Sequence, residues 1–124
     1  MTRALVVDDD DSIRMVAEVA LESVGGWEVL SADGGVAALE LAATHRLDVI
    51  LLDVMMPGLD GLETFRRLAA DPATADIPVI LVTAKVRVGD RVDWDGLGIA
   101  GVIPKPFDPM TLARDVSVML GWPT

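Results

Sequence analysis

The sequence predicts a doubly wound α/β fold, in which helices cover both faces of a five-stranded parallel sheet. Short apolar runs of strand length alternate along the chain with segments of helical spacing. Two of the runs, residues 49–52 and 79–82, are apolar at every position. Such runs are typical of strands buried on both faces, and this burial occurs when a parallel sheet lies between two layers of helices.

The predicted elements follow in the order β-α-β-α-β-α-β-?-β-α. In the first helix, apolar residues recur every three or four positions between Ile13 and Val24, and Gly25 and Gly26 end it. The last helix is expected to begin after Asp108 as N-cap, with proline at its first position. The strands are predicted at residues 4–7, 28–31, 49–53, 79–83 and 101–104, and the other helices at 36–44, 61–70 and 109–120.

Length and composition restrict the possible functions. A chain of 124 residues suits one domain, here residues 1–124. With no cysteine and one histidine, a disulfide, a thiolate nucleophile and a sulfur- or histidine-ligated metal are excluded. The formal charge of -10 disfavours direct binding to nucleic acid or to anionic membranes. No apolar run resembles a membrane span or a signal peptide, so we expect a cytoplasmic protein.

Polar residues follow four of the predicted strands. Four consecutive aspartates, residues 8–11, follow the first strand. Asp53 ends the third strand and Thr83 ends the fourth, and Lys105, one of only two lysines, follows the fifth strand. In a parallel sheet these positions share the carboxyl edge, where ligands bind. Carboxylates about 4 Å apart repel by roughly 4 kcal/mol per pair at an effective dielectric near 20, so such a group favours a bound cation. An all-oxygen site suits Mg²⁺ and a phosphoryl substrate, with an Asp as nucleophile.

Four motifs follow one another along the chain: residues 5–9 (LVVDD), 53–61 (DVMMPGLDG), 82–84 (VTA) and 105–107 (KPF). In this order and spacing they resemble the response-regulator receiver domain of two-component signalling, which has a flavodoxin-like fold. The resemblance implies that Asp53 takes a phosphoryl group from a phosphohistidine of a histidine kinase or phosphotransfer protein, or from acetyl phosphate. It also implies that the protein catalyses only its own phosphorylation and dephosphorylation and then switches its binding to an unknown protein target.

The same resemblance implies a role for each site residue. Asp9 and Asp53 would bind Mg²⁺ directly, the Met55 carbonyl would be a third ligand, and Asp8 would act through water. A cis bond before Pro106 is also implied. Two further residues, Thr83 and Lys105, would each contact a phosphoryl oxygen.

The sequence departs from the receiver pattern where the signal leaves the site. The position usually held by a switching Tyr or Phe is Val102, which cannot swing inward as an aromatic ring does. Residues 88–96 contain poor helix formers and predict a short or frayed helix. We expect phosphorylation to draw in Thr83, reorder this segment and reposition Trp94, although Trp94 packing passively against the sheet is an equal alternative.

Two other functions fit part of the pattern. Asp8-x-Asp10 after the first strand imitates the nucleophile and acid of haloacid-dehalogenase phosphatases, but this reading leaves Asp53 unexplained. A degenerate receiver that only binds a partner is the second alternative, and the filled chemical positions argue against it. Met1 directly before the first strand favours a stand-alone receiver over a piece of a larger regulator.

Overall fold

The computed structural model describes residues 1–84 and 98–123 and shows the predicted parallel sheet within them. The sheet order is β2-β1-β3-β4-β5, and every neighbouring pair is parallel. Three strands have their predicted bounds, and the first two are each one residue longer. The strands are β1 Arg3–Val7, β2 Glu28–Ala32, β3 Val49–Asp53, β4 Val79–Thr83 and β5 Gly101–Pro104.

The apolar spacing from Ile13 to Val24 predicts a single helix, but the structure divides it into two parts. α1 covers Asp11–Val19, and a π-helical segment follows over Ala20–Val24. The Gly25 N–H donates to the Ala20 carbonyl at 3.3 Å, a π-helical interval of five residues. A Cβ on Gly25 would lie 2.8 Å from the Cβ of Ala113, so the chain needs glycine where it passes the last helix.

The other described helices are α2 Gly35–Thr44, α3 Gly61–Ala70 and α4 Leu112–Leu120. The predicted start of the last helix is wrong by three residues. The Asp108 carboxylate accepts from the Met110 N–H at 2.9 Å, and the Asp108 carbonyl accepts from the Thr111 N–H at 3.1 Å. Asp108 therefore closes a separate turn instead of capping the helix, because an Asp side chain can bond its own neighbouring backbone.

The core lies on both faces of the sheet. Along β3, Ile50 and Leu52 pack into the layer under α2 and α3, whereas Val49 and Leu51 pack into the layer under α1 and α4. All five residues of β3 are buried, as its unbroken apolar run predicts. Each fully buried large side chain contributes about 1.5–3 kcal/mol to the stability of the fold. The packing of β3 therefore fixes the position of Asp53, the residue at which the strand ends.

The predicted helix of residues 88–96, with Trp94, lies outside the described residues. None of the described helices is long and apolar enough to cross a membrane.

Candidate functional site

The sheet brings two buried carboxylates together where β1 and β3 end. Val7 pairs with Leu52, so the next residue of each strand, Asp8 and Asp53, lies beside the other. Each residue is 4% exposed. Burial of two acids side by side is unfavourable unless a cation pairs with them. We call the end of the sheet that carries Asp8, Asp53, Thr83 and Lys105 the carboxyl edge.

Lys105 supplies that cation. Its Nζ lies 2.8 Å from Asp8 Oδ2 and 3.1 Å from Asp53 Oδ1. The side chain is 16% exposed. The Lys105 N–H donates to the Thr83 carbonyl at 3.0 Å, which ties the turn after β5 to the end of β4. The bond between Lys105 and Pro106 is cis, as the resemblance implies. One ammonium thus bridges two carboxylates, and the trio keeps one negative charge.

The protonation of these groups follows from burial and pairing. Burial raises the pKa of the Asp53 carboxyl, the hydrogen bond from Lys105 opposes this, and the charge of Asp8 adds to the increase. For Lys105, burial acts to lower the pKa, but the hydrogen bonds to Asp8 and Asp53 outweigh it and the pKa is raised. The Lys105 side chain therefore stays protonated at neutral pH, and its hydrogen bond stabilises the ionised Asp53 carboxylate against the effect of burial.

A third carboxylate completes an acidic cluster. Asp8, Asp9 and Asp53 each offer an oxygen within 4.8 Å of the others, and Asp9 is the exposed member. Three carboxylates without histidine or cysteine form a donor set for a hard cation such as Mg²⁺. The residues present therefore fit a divalent cation that is open to solvent on the Asp9 side.

The loop after Asp53 turns back sharply at two glycines. Gly58 has φ of +72°, which favours glycine. A Cβ on Gly61 would overlap the Asp53 carbonyl oxygen and lie 2.7 Å from the Cα of Val54. The Met55 backbone hydrogen-bonds the Asp53 carboxylate, and the Met55 side chain is 59% exposed. The loop thus keeps the backbone at Met55 close to the Asp53 carboxylate.

The predicted switch residues occupy different places. Thr83 is 1% exposed at the end of β4, opposite Pro104 of β5. Val102 pairs with Leu81 and is partly buried against the layer under α2 and α3, so it fills space between sheet and helices. Trp94 lies outside the described residues, and its proposed movement stays a prediction.

Asp10 stands apart from the cluster and caps α1. Its carboxylate accepts from the N–H groups of Ser12 and Ile13 at 2.9 and 3.1 Å. Such hydrogen bonds are typical of an aspartate at a helix N-cap. A phosphatase mechanism would need Asp10 as an acid facing the substrate, and nothing observed supports that alternative.

Sequence reasoning missed Arg14. Its Nη1 donates to the Asp8 carbonyl at 2.8 Å, and its Nη2 pairs with Asp11 Oδ1 at 2.6 Å. The side chain is 19% exposed. In the sequence, Arg14 lies on the polar side of the first helix, where an exposed arginine is expected. No spacing rule marks a contact with a carbonyl six residues earlier.

Comparisons with known proteins identify the family of this chain. The model of the response regulator receiver domain matches residues 4–117. Protein PilH of Pseudomonas aeruginosa is 37% identical over 120 residues, which cover 97% of this chain and 98% of PilH. The phosphate regulon transcriptional regulatory protein PhoB of the same species is 39% identical over 116 residues, which cover 94% of this chain and 50% of PhoB. The chain therefore spans about half the length of that relative.

Solved structures show the same fold. Chemotaxis protein CheY4 of Vibrio cholerae superimposes with a TM-score of 0.88 at 31% identity, covering 96% of this chain and 98% of CheY4. The receiver domain of Francisella response regulator 1452 has a TM-score of 0.85 at 29% identity, covering 98% of each chain. The family match, the PilH alignment and the shared fold place the chain in one family: it belongs to the receiver domains of two-component response regulators.

Proposed function

We propose that Asp53 is the phosphoacceptor of this receiver and that it takes its phosphoryl group from a phosphohistidine of a histidine kinase or phosphotransfer protein. The observation that carries the proposal is the Lys105 ammonium bridging Asp53 and Asp8 at 3.1 and 2.8 Å. The protein then catalyses only its own phosphorylation and dephosphorylation, in the cytoplasm, and its phosphorylated form changes its binding to a target protein.

The transfer is a substitution at phosphorus. An ionised Asp53 oxygen attacks the phosphorus atom, the bond to the donor imidazole nitrogen breaks, and its electron pair stays on the imidazole. Lys105 carries three N–H donors, so it can keep Asp8 while one donor passes to a phosphoryl oxygen. The buried Thr83 hydroxyl, at the neighbouring strand end, is the proposed donor to another phosphoryl oxygen.

The acidic cluster supports a magnesium requirement. Asp9, Asp53 and the Met55 carbonyl would hold Mg²⁺, with Asp8 acting through water, and the bound ion would neutralise charge that develops on the phosphoryl oxygens. Without a cation, Asp8, Asp9 and Asp53 together outnumber Lys105 by two charges, which would repel an anionic phosphoryl group.

The surface beside Lys105 supports a protein as phosphodonor. A groove of about 490 Å³ opens next to the ammonium, and nearly all its walls are apolar. A donor helix that packs there would bring its phosphohistidine to the carboxyl edge while burying its own apolar side chains. The groove is lined by Ser12, Ile13, Val16, Ala84, Lys105, Pro106 and Phe107.

Acetyl phosphate tests the acceptor without a partner protein. We expect a Mg²⁺-dependent mass increase of one phosphoryl group, located by peptide mapping at Asp53 and absent from Asp53→Asn. Asp76→Asn, the same change at an exposed position, is the matched control and should be labelled like the wild type. Undiminished labelling of Asp53→Asn would overturn the assignment. Multiple turnover of a phosphate monoester would contradict an activity limited to the protein itself.

A further inference from the structure

Arg14 contacts the backbone of the acidic cluster, whereas Lys105 contacts its side chains. Its Nη1 donates to the Asp8 carbonyl at 2.8 Å and its Nη2 to Asp11 at 2.6 Å, so one planar guanidinium joins the end of β1 to the first turn of α1. The fork geometry of arginine suits such paired contacts. The hydrogen bond that Arg14 donates to Asp11, together with the nearby Glu18 and Asp33, raises the pKa of Arg14 despite its partial burial, so the group stays cationic.

The bond to the Asp8 carbonyl controls the next residue. The carbonyl of Asp8 and the N–H of Asp9 belong to one planar peptide unit, so fixing the oxygen fixes the plane from which the Asp9 Cα departs. On the other side of Asp9, the Asp10 N–H donates to Asp8 Oδ1 at 2.9 Å. Two hydrogen bonds therefore bracket the backbone of Asp9.

Asp9 depends on this bracket. It is the exposed member of the acidic cluster, and in residues 1–84 and 98–123 its carboxylate has no hydrogen bond to the protein. By contrast, Lys105 fixes the carboxylates of Asp8 and Asp53 directly. In this part of the chain, hydrogen bonds thus constrain Asp9 only through the peptide units on either side of it.

We infer that Arg14 is a positioning residue for the divalent cation, which orients Asp9 by clamping the Asp8 carbonyl. This inference rests on the proposed Mg²⁺ site. For the loss of Arg14, it predicts a change in Mg²⁺ affinity opposite in direction to the change that charge alone predicts. Removing a positive charge beside an acidic cluster should strengthen cation binding through charge alone, whereas loss of the clamp should weaken it.

The test is a calorimetric titration of the unphosphorylated protein with Mg²⁺ alone. We expect Arg14→Met to bind Mg²⁺ about 10-fold more weakly, the lower end of the loss seen when a residue that orients a metal ligand is removed. Arg14→Lys keeps the charge but lacks the fork that reaches Asp8 and Asp11 together, so it should also bind more weakly. In acetyl phosphate assays, Arg14→Met should raise the half-saturating Mg²⁺ concentration and leave the rate at saturating Mg²⁺ nearly unchanged.

Arg3→Met is the matched control. Arg3 makes a comparable ion pair, with Glu28 at 3.1 Å, at the opposite end of β1. The Arg3→Met substitution removes the same charge as Arg14→Met and should leave the Mg²⁺ affinity nearly unchanged. Unchanged or tighter binding by both Arg14 variants would overturn the inference. Failure of the wild type to bind Mg²⁺ would overturn the metal site itself, and failure of Asp53 to be labelled would leave the titration fully informative.

Discussion

The two ends of the sheet hold their charges in opposite ways. At the carboxyl edge, Asp8 and Asp53 are buried and Lys105 is half-buried, with side chains 5%, 5% and 16% exposed. At the other end, which we call the amino edge, two ion pairs lie in solvent. There Arg3 and Glu28 are 34% and 47% exposed, and Arg46 and Asp48 are 91% and 32% exposed.

This difference indicates which end of the sheet keeps charged side chains at a cost in folding free energy. Exposed ion pairs contribute about 0–1 kcal/mol and cost little to maintain. Buried charges lose hydration, so a site that keeps two carboxylates against one ammonium opposes folding unless every partner is in place. The amino edge instead gains from packing, since Trp27 and Trp122 meet edge to face with centroids 5.7 Å apart. The interactions at the amino edge therefore stabilise the fold, whereas the carboxyl edge keeps its buried charges at a cost in stability.

The largest expected effect comes from removing the Lys105 ammonium, which pairs with two buried carboxylates. Lys105→Met leaves Asp8 and Asp53 buried side by side without their ammonium, and we expect a loss of about 3–5 kcal/mol in the free energy of unfolding at neutral pH. Urea unfolding followed by circular dichroism measures this loss. Saturating Mg²⁺ should restore part of it by replacing the missing positive charge.

The pH dependence of the same variant checks the cause. Without Lys105 the hydrogen bond that opposes the effect of burial is lost, so the folded-state pKa of Asp53 rises further above the unfolded value of about 3.9. The folded protein then binds more protons than the unfolded chain, so stability falls as pH rises through that window. Lys105→Met should therefore lie closer to the wild type at acid pH. A constant deficit at all pH values would assign the loss to packing of the lysine stem instead.

A smaller effect of opposite sign is expected at Asp53. Because burial raises its pKa, the ionised carboxylate of Asp53 disfavours folding at neutral pH. Asp53→Asn removes that charge and leaves Lys105 paired with Asp8 alone, so the variant should be more stable by on the order of 1 kcal/mol. The gain should shrink as pH falls and the wild-type carboxylate takes up a proton. A variant less stable than the wild type at neutral pH would show that the bond from Lys105 outweighs burial.

The carboxyl edge was far more predictable from the sequence than the amino edge. Fully apolar runs gave the bounds of β3 and β4, and parallel pairing then placed Asp53 and Thr83 at one edge without further assumptions. The pair of Arg3 and Glu28 joins residues 25 positions apart, and no local pattern marks it. Tertiary contacts decide such surface pairs, so the sequence does not reveal them.

Local structure escaped prediction for the same reason. Apolar residues spaced by three and four describe an α-helix and a short π-helical segment equally well, so the spacing does not reveal the π-helical segment over Ala20–Val24. Asp108 could cap a helix or close a turn, and its bond to the Met110 N–H decides for the turn. Arg14 followed the periodic pattern of an exposed residue, so its contact with Asp8 was visible only once β1 and α1 were in place.

The smallest expected effect lies at the amino edge, where Arg3→Met removes the ion pair with Glu28. The Arg3 side chain also donates to the Arg46 carbonyl at 3.4 Å, a long bond that adds little. The loss in the free energy of unfolding should stay below about 1 kcal/mol and decrease with added salt, because salt screens exposed charges. Urea unfolding at low and high sodium chloride measures it, with Glu28→Gln as a second way of breaking the same pair. The loss in Lys105→Met should persist in high salt, since water and ions reach that pair poorly. If Arg3→Met proved as destabilising as Lys105→Met, the contrast between a solvated edge and a buried one would not hold.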